Sequence, residues 1–101
     1  MEFVQISSLE LEQYINCKNC IIIDLREKNY YDEGHVPGAI NIPYEVLEEK
    51  IGLLDKSKEF IMYCERGGRS FIAAKRFGDM YNIKIVTGGM HSYKGIIEKS
   101  H

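Results

Sequence analysis

The stretch Cys64-Glu65-Arg66-Gly67-Gly68-Arg69-Ser70 holds the residue types that could do chemistry. Cys64 closes the apolar run that begins at Phe60. Two adjacent glycines follow, and helix-spaced apolar residues Phe71, Ala74, Phe77 and Met80 come directly after. Glycines permit the positive φ values with which successive N–H groups turn inward as an anion nest. The helix start contributes the positive end of its dipole, and Arg66 and Arg69 contribute full charges. Such surroundings favour the thiolate, which is the nucleophilic form of cysteine. A strand-end cysteine that merely packs beside a glycine turn would explain neither the arginines nor the helix start. Cys64 therefore reads as a reactive thiolate.

Repeated strand and helix signals must position this loop. Phe3–Ile6 is a short strand candidate. Ser7 with Glu10 is a capping box opening a helix that carries Leu9, Leu11, Tyr14 and Ile15. Cys20 to Leu25 is β-branched without alternation, as in a parallel strand buried on both faces. A polar segment with Tyr30 and Tyr31 reads as a short helix or turn, Ala39–Pro43 as a brief strand, and Val46, Leu47, Ile51 and Leu54 have helical spacing. Glu59–Tyr63 and Ile83–Val86 are further strands, and a final helix is expected to carry Ile96 and Ile97. Repeated β-α-β units of this size predict an α/β fold, a small parallel sheet with helices on both faces. Sites in such sheets lie at the carboxyl ends of the strands. Asp24-Leu25-Arg26, Cys64 to Ser70 and Thr87-Gly88-Gly89 all fall there, so they are expected to meet on one rim.

The remaining candidates have plainer readings. Asp24 and Arg26 are placed to orient the Cys64 loop from a neighbouring strand end. His35, in the bend Gly34-His35-Val36-Pro37-Gly38, is read as pinning that bend by hydrogen bonds, in preference to a general base. Cys17-Lys18-Asn19-Cys20 supplies two thiols where a closed zinc site takes four ligands. It also closes a helix and begins a strand, the reverse of a thioredoxin-like arrangement. These cysteines are read as packing residues, with a redox or relay role as the alternative.

Tyr63 to Ser70 resembles the active-site loop of single-domain rhodanese-type sulfurtransferases: cysteine, two variable residues, glycine, one variable residue, arginine, serine. Asp24-Leu25-Arg26 followed by Gly34-His35-Val36-Pro37-Gly38-Ala39, and Thr87-Gly88-Gly89 after the last strand, resemble further segments of that family in the same order. The resemblance runs from about residue 3 to residue 98 and implies a rhodanese-like fold. It implies that Cys64 takes sulfur from thiosulfate or a persulfide as its own persulfide, and passes it to a thiol or cyanide; a protein thiol is among the acceptors considered. The N–H groups from Glu65 through Arg66, Gly67, Gly68 and Arg69 to Ser70 would stabilise the persulfide, and Arg69 would hold the donor's sulfonate. Asp24, Arg26 and His35 would support the loop, with no metal or organic cofactor.

Two departures bear on this reading. Tyr93 stands near where the family usually has tryptophan, and Glu65 opposes a doubly negative donor. A dedicated sulfur carrier and a non-catalytic binding module are alternatives. Phosphatases and arsenate reductases of related fold are a further one, but they place five residues between cysteine and arginine, where this loop has four.

Composition sets the frame. The 101 residues, 45% hydrophobic, are expected to form one domain over 1–101. A net charge of −2 gives no electrostatic case for nucleic acid or an anionic membrane. The longest apolar run, Phe60 to Cys64, is far short of the roughly 20 residues of a membrane span. The N-terminus shows no secretory signal, and three cysteines are too few for a disulfide scaffold. The expectation is a reduced, cytoplasmic protein.

Overall fold

The structure, a computed structural model, describes residues 3–100. The order is β1 (Val4–Ile6), α1 (Ser8–Leu11), β2 (Cys20–Asp24), α2 (Lys28–Glu33), β3 (Ile40–Asn41), α3 (Leu47–Lys50), β4 (Glu59–Tyr63), α4 (Gly68–Phe77), β5 (Asn82–Val86) and α5 (Gly89–Ser92). Single 3-10 turns extend α1 and flank α3. All five strands pair in parallel in the order β1-β5-β4-β2-β3, so β4, which delivers Cys64, lies at the centre.

Strand residues alternate between two apolar layers. Phe60 and Met62 of β4 join Ile23, Ile83 and Ile85 against Leu47 and Ile51 of the α3 segment and Ala73, Ala74 and Phe77 of α4. Ile61 and Tyr63 join Ile22 and Val86 on the other face, against Leu11 and Tyr93. Phe60, Ile61, Met62 and Tyr63 have no exposed surface. Burial of such side chains stabilises the fold by about 1.5–3 kcal/mol each, so β4 is the most firmly anchored support available to a site. The expected α/β layering is what the chain adopts.

The capping box forms: Ser7 Oγ accepts from the Glu10 N–H and Glu10 Oε1 accepts from the Ser7 N–H, both at 3.0 Å. The helix behind it is one turn, with only Leu11 buried, and Leu9 faces solvent at 74% exposure. α4 ends at Phe77, leaving Met80 beyond it. The last helix also differs from expectation. It ends at Ser92, because Tyr93 turns extended and its hydroxyl donates to the Ile96 carbonyl at 2.6 Å. Ile96 and Ile97 lie outside any helix and are exposed, while Glu98 pairs antiparallel with His35. Tyr93 itself is buried, filling the space beside α1.

Candidate active site

Cys64 leaves the central strand and is almost fully buried. The chain then curls over its sulfur. Gly67 takes a left-handed φ of 102° and starts α4. That turn aims the Gly67 N–H at Sγ (3.1 Å) and brings the Ser70 N–H to 3.5 Å. The Ser70 hydroxyl donates to the Gly67 carbonyl at 3.1 Å and lies 3.8 Å from Sγ.

Only one of the two glycines is needed for the curl. Gly68 is already helical, its φ is not positive, and a Cβ there would meet nothing within 4 Å. Gly68→Ala is therefore expected to leave the fold intact. It should raise unfolding free energy by about 0.4–1 kcal/mol through the unfolded chain, as read by urea denaturation.

The turn after β5 sits directly beneath. Gly88 and Gly89 have φ of 79° and 59°. The Met90 and His91 N–H groups then donate to the carbonyls of Cys64 (2.8 Å) and Glu65 (2.9 Å). A Cβ on Gly89 would lie 2.3 Å from the Cys64 carbonyl oxygen, so this backbone approach requires glycine. The rim expected from the strand ends is the rim observed.

From β2, Asp24 is wholly buried and accepts from Arg26 Nε (3.1 Å), Arg26 Nη2 (2.9 Å) and the Tyr63 hydroxyl (2.7 Å). Arg26 reaches on to the Gly34 carbonyl (2.6 Å) and to Glu65 Oε1 (3.3 Å). Burial alone would lower the pKa of Arg26; the Asp24 carboxylate outweighs this and holds it above its usual value. Tyr63 is pushed well above the ordinary phenol range, by burial first and then by the Asp24 charge, so it stays a donor. Asp24 and Arg26 thus tie β2, the Gly34 bend and the Cys64 loop together.

His35 stands outside the cavity. It stacks on Tyr31 (3.8 Å between centroids), its Nδ1 is 2.8 Å from the Tyr31 carbonyl oxygen, and its Nε2 is 3.8 Å from Glu98. These contacts hold the bend whose Gly34 carbonyl receives Arg26.

The loop opens onto a cavity of about 410 Å³, with Cys64 in its lining. Leu25, Glu27 and Tyr30 form one wall and Glu65, Arg66, Gly68 and Arg69 another. The two arginines are not equivalent. Arg69 is engaged with Glu45 at 3.0 Å and lies over the Tyr44 ring. Arg66 has no ion pair or side-chain hydrogen bond among the described residues, so its charge is the one left for an incoming anion. The sequence reading named both Arg66 and Arg69 at the site, and it did not include Glu27 and Tyr30, which the structure places in the cavity lining. The signal for those two was their place directly after Arg26, at the start of an exposed helix.

Cys17 and Cys20 do not join this site. Cys20 is in register with Glu59, whereas Cys64 follows Tyr63 at the other end of the strand. Five residues of strand separate the two ends by roughly 16 Å.

Comparison with known proteins gives consistent relatives. The family model described as the rhodanese-like domain matches residues 7–96. YtwF of Bacillus subtilis is 33% identical over 97 residues, covering 94% of each chain. Thiosulfate sulfurtransferase GlpE of Coxiella burnetii is 28% identical over 99 residues, covering 93% of this chain and 90% of its own. Among solved structures, a rhodanese-related protein from Thermoplasma volcanium superposes with a TM-score of 0.86 at 27% identity, over 95% of this chain and 98% of that one.

Proposed function

The chain belongs to the rhodanese-like domain family, and from that premise we propose that it is a sulfurtransferase working through a persulfide on Cys64. The observation that carries the reading is the Cys64 sulfur, set in a cavity wall and accepting from the Gly67 N–H. In the first step the Cys64 thiolate attacks the outer sulfur of thiosulfate. The donor's S–S bond breaks, sulfite leaves with the electron pair, and Cys64–S–S⁻ remains. In the second step a thiolate or cyanide attacks the terminal sulfur, and the electron pair returns to Cys64.

The Gly67 and Ser70 N–H groups stabilise the anion in both states. First-turn N–H groups of α4, which lack acceptors within the helix, are available to the added sulfur. Arg66 holds the donor's sulfonate, in place of the Arg69 that the family resemblance implies. Arg26 draws the Glu65 carboxylate toward itself and blunts its repulsion of the donor. Donor and acceptor are small sulfur compounds, with a protein thiol also suited to the second step. The reading belongs to a reducing cytoplasm, where free thiols persist. Among the described residues no helix is long and apolar enough to cross a membrane.

Incubation with thiosulfate is expected to add one sulfur by intact mass, and cyanide to remove it. Arg66→Ala should lower kcat/KM for thiosulfate about tenfold, the worth of one charge-assisted contact, with a smaller effect for Arg69→Ala. Failure of thiosulfate and of small persulfides to load the protein would sink the reading. So would aryl phosphate hydrolysis faster than any sulfur transfer.

A further inference from the structure

The C-x-x-C pair at the far end of β2 is the one motif of the sequence that the sulfur-transfer reading leaves unused. Its two sulfurs are not independent packing groups. Cys17 Sγ and Cys20 Sγ lie 2.7 Å apart, both thiols are free, and both residues are only half-buried. The turn that joins them brings this about. Asn16 takes a left-handed φ of 71°, the Cys17 N–H donates to the Tyr14 carbonyl (3.1 Å), and the Cys20 N–H donates to the Cys17 carbonyl (3.3 Å). A disulfide would require the sulfurs to approach by about 0.7 Å more.

A proton acceptor stands beside the pair. Glu59 Oε1 is 3.9 Å from Cys20 Sγ, and Lys84 Nζ holds that carboxylate at 3.2 Å while donating to the Tyr14 hydroxyl at 2.8 Å. We propose that Cys17 and Cys20 form a second thiol site, a dithiol that exchanges with small disulfides and closes to an intramolecular disulfide, independently of Cys64.

The steps balance with a small disulfide as oxidant. The Cys17 thiolate attacks one sulfur of the disulfide, whose S–S bond breaks and releases the first small thiolate. Cys20 then passes its proton toward Glu59 and attacks the Cys17 sulfur, releasing the second. Two protein S–H bonds are lost, one S–S bond is formed, and the small disulfide is reduced to two thiols. Cys17 attacks first because the Glu59 carboxylate stands against the Cys20 sulfur at 3.9 Å and disfavours a thiolate there; burial, the hydrogen bond shared with Cys17 and the Cys17 and Glu59 charges push the Cys20 thiol up. A thiol held so far above neutral pH is a slow nucleophile.

The full chain carrying Cys64→Ser, treated with oxidised glutathione, isolates this pair. It is expected to lose two hydrogens by mass and to retain no glutathione. Lys18 lies between the cysteines, so trypsin cuts the loop, and the disulfide is read as two peptides that part only on reduction. Adding Cys20→Ser should trap one glutathione on Cys17. Adding Cys17→Ser instead should leave Cys20 roughly tenfold or more slower to react. Retention of glutathione on both cysteines, or no reaction in the folded chain when the urea-unfolded chain reacts, would overturn the proposal. Faster capture at Cys20 than at Cys17 would overturn the assigned order of attack.

Discussion

Cys64→Ser is expected to lower sulfur transfer by on the order of 10³-fold or more, with loss of the sulfur adduct, because no other thiol stands in the cavity. A serine hydroxyl still accepts from the Gly67 and Ser70 N–H groups, so the loop should keep its shape. It is not appreciably ionised near neutral pH, and it cannot form a persulfide. Circular dichroism matching the unmodified chain, together with absence of the added sulfur, is the predicted pair of results. A sulfur adduct that survives the substitution and maps to Cys17 or Cys20 would show that the reactive thiol has been misassigned. The separation of roughly 16 Å between the two ends of the strand makes a relay within one molecule untenable on this geometry.

Arg26→Met is the substitution expected to cost most stability, about 3–5 kcal/mol by urea denaturation. It leaves the Asp24 carboxylate with no exposed surface and only the Tyr63 hydroxyl and the backbone N–H of residue 26 to answer its charge. The same change frees the Gly34 carbonyl and the Glu65 carboxylate. Adding Asp24→Asn removes the stranded charge, so the double variant should recover a large part of the loss. A single-variant cost below about 1 kcal/mol would mean that water reaches the pair and screens it as at a surface. Activity should fall with Arg26→Met even where the protein remains folded, since Glu65 would no longer be drawn aside from the entering anion.

The chemistry of the loop is local, and that is why it is legible in the sequence. A cysteine ending an unalternating apolar run, glycines, and a helix pattern within seven residues determine a thiol beneath backbone N–H groups. The meeting of Asp24, Cys64 and Gly89 on one rim was legible for a related reason: parallel strands joined by helices all deliver their carboxyl ends to the same edge.

Other features depended on partners distant in sequence. Arg66 and Arg69 look alike in the loop, and only Glu45, brought in by the segment before α3, decides that Arg69 is already engaged. Gly67 and Gly68 are likewise indistinguishable as letters. The backbone of Gly88 behind Gly67, and open space around Gly68, separate them. The expected helix through Ile96 and Ile97 failed because Tyr93 found a place against α1 and the following chain found His35. The thiol pair follows the same rule. Its spacing was visible, but the sulfur contact and the Glu59 carboxylate beside it arise from the turn at Asn16 and the pairing of β2 with β4. Sequence by itself determined which groups this chain carries and on which edge they gather. Tertiary structure decided which charges remain uncommitted and which neighbours touch, because those depend on contacts that no local pattern records.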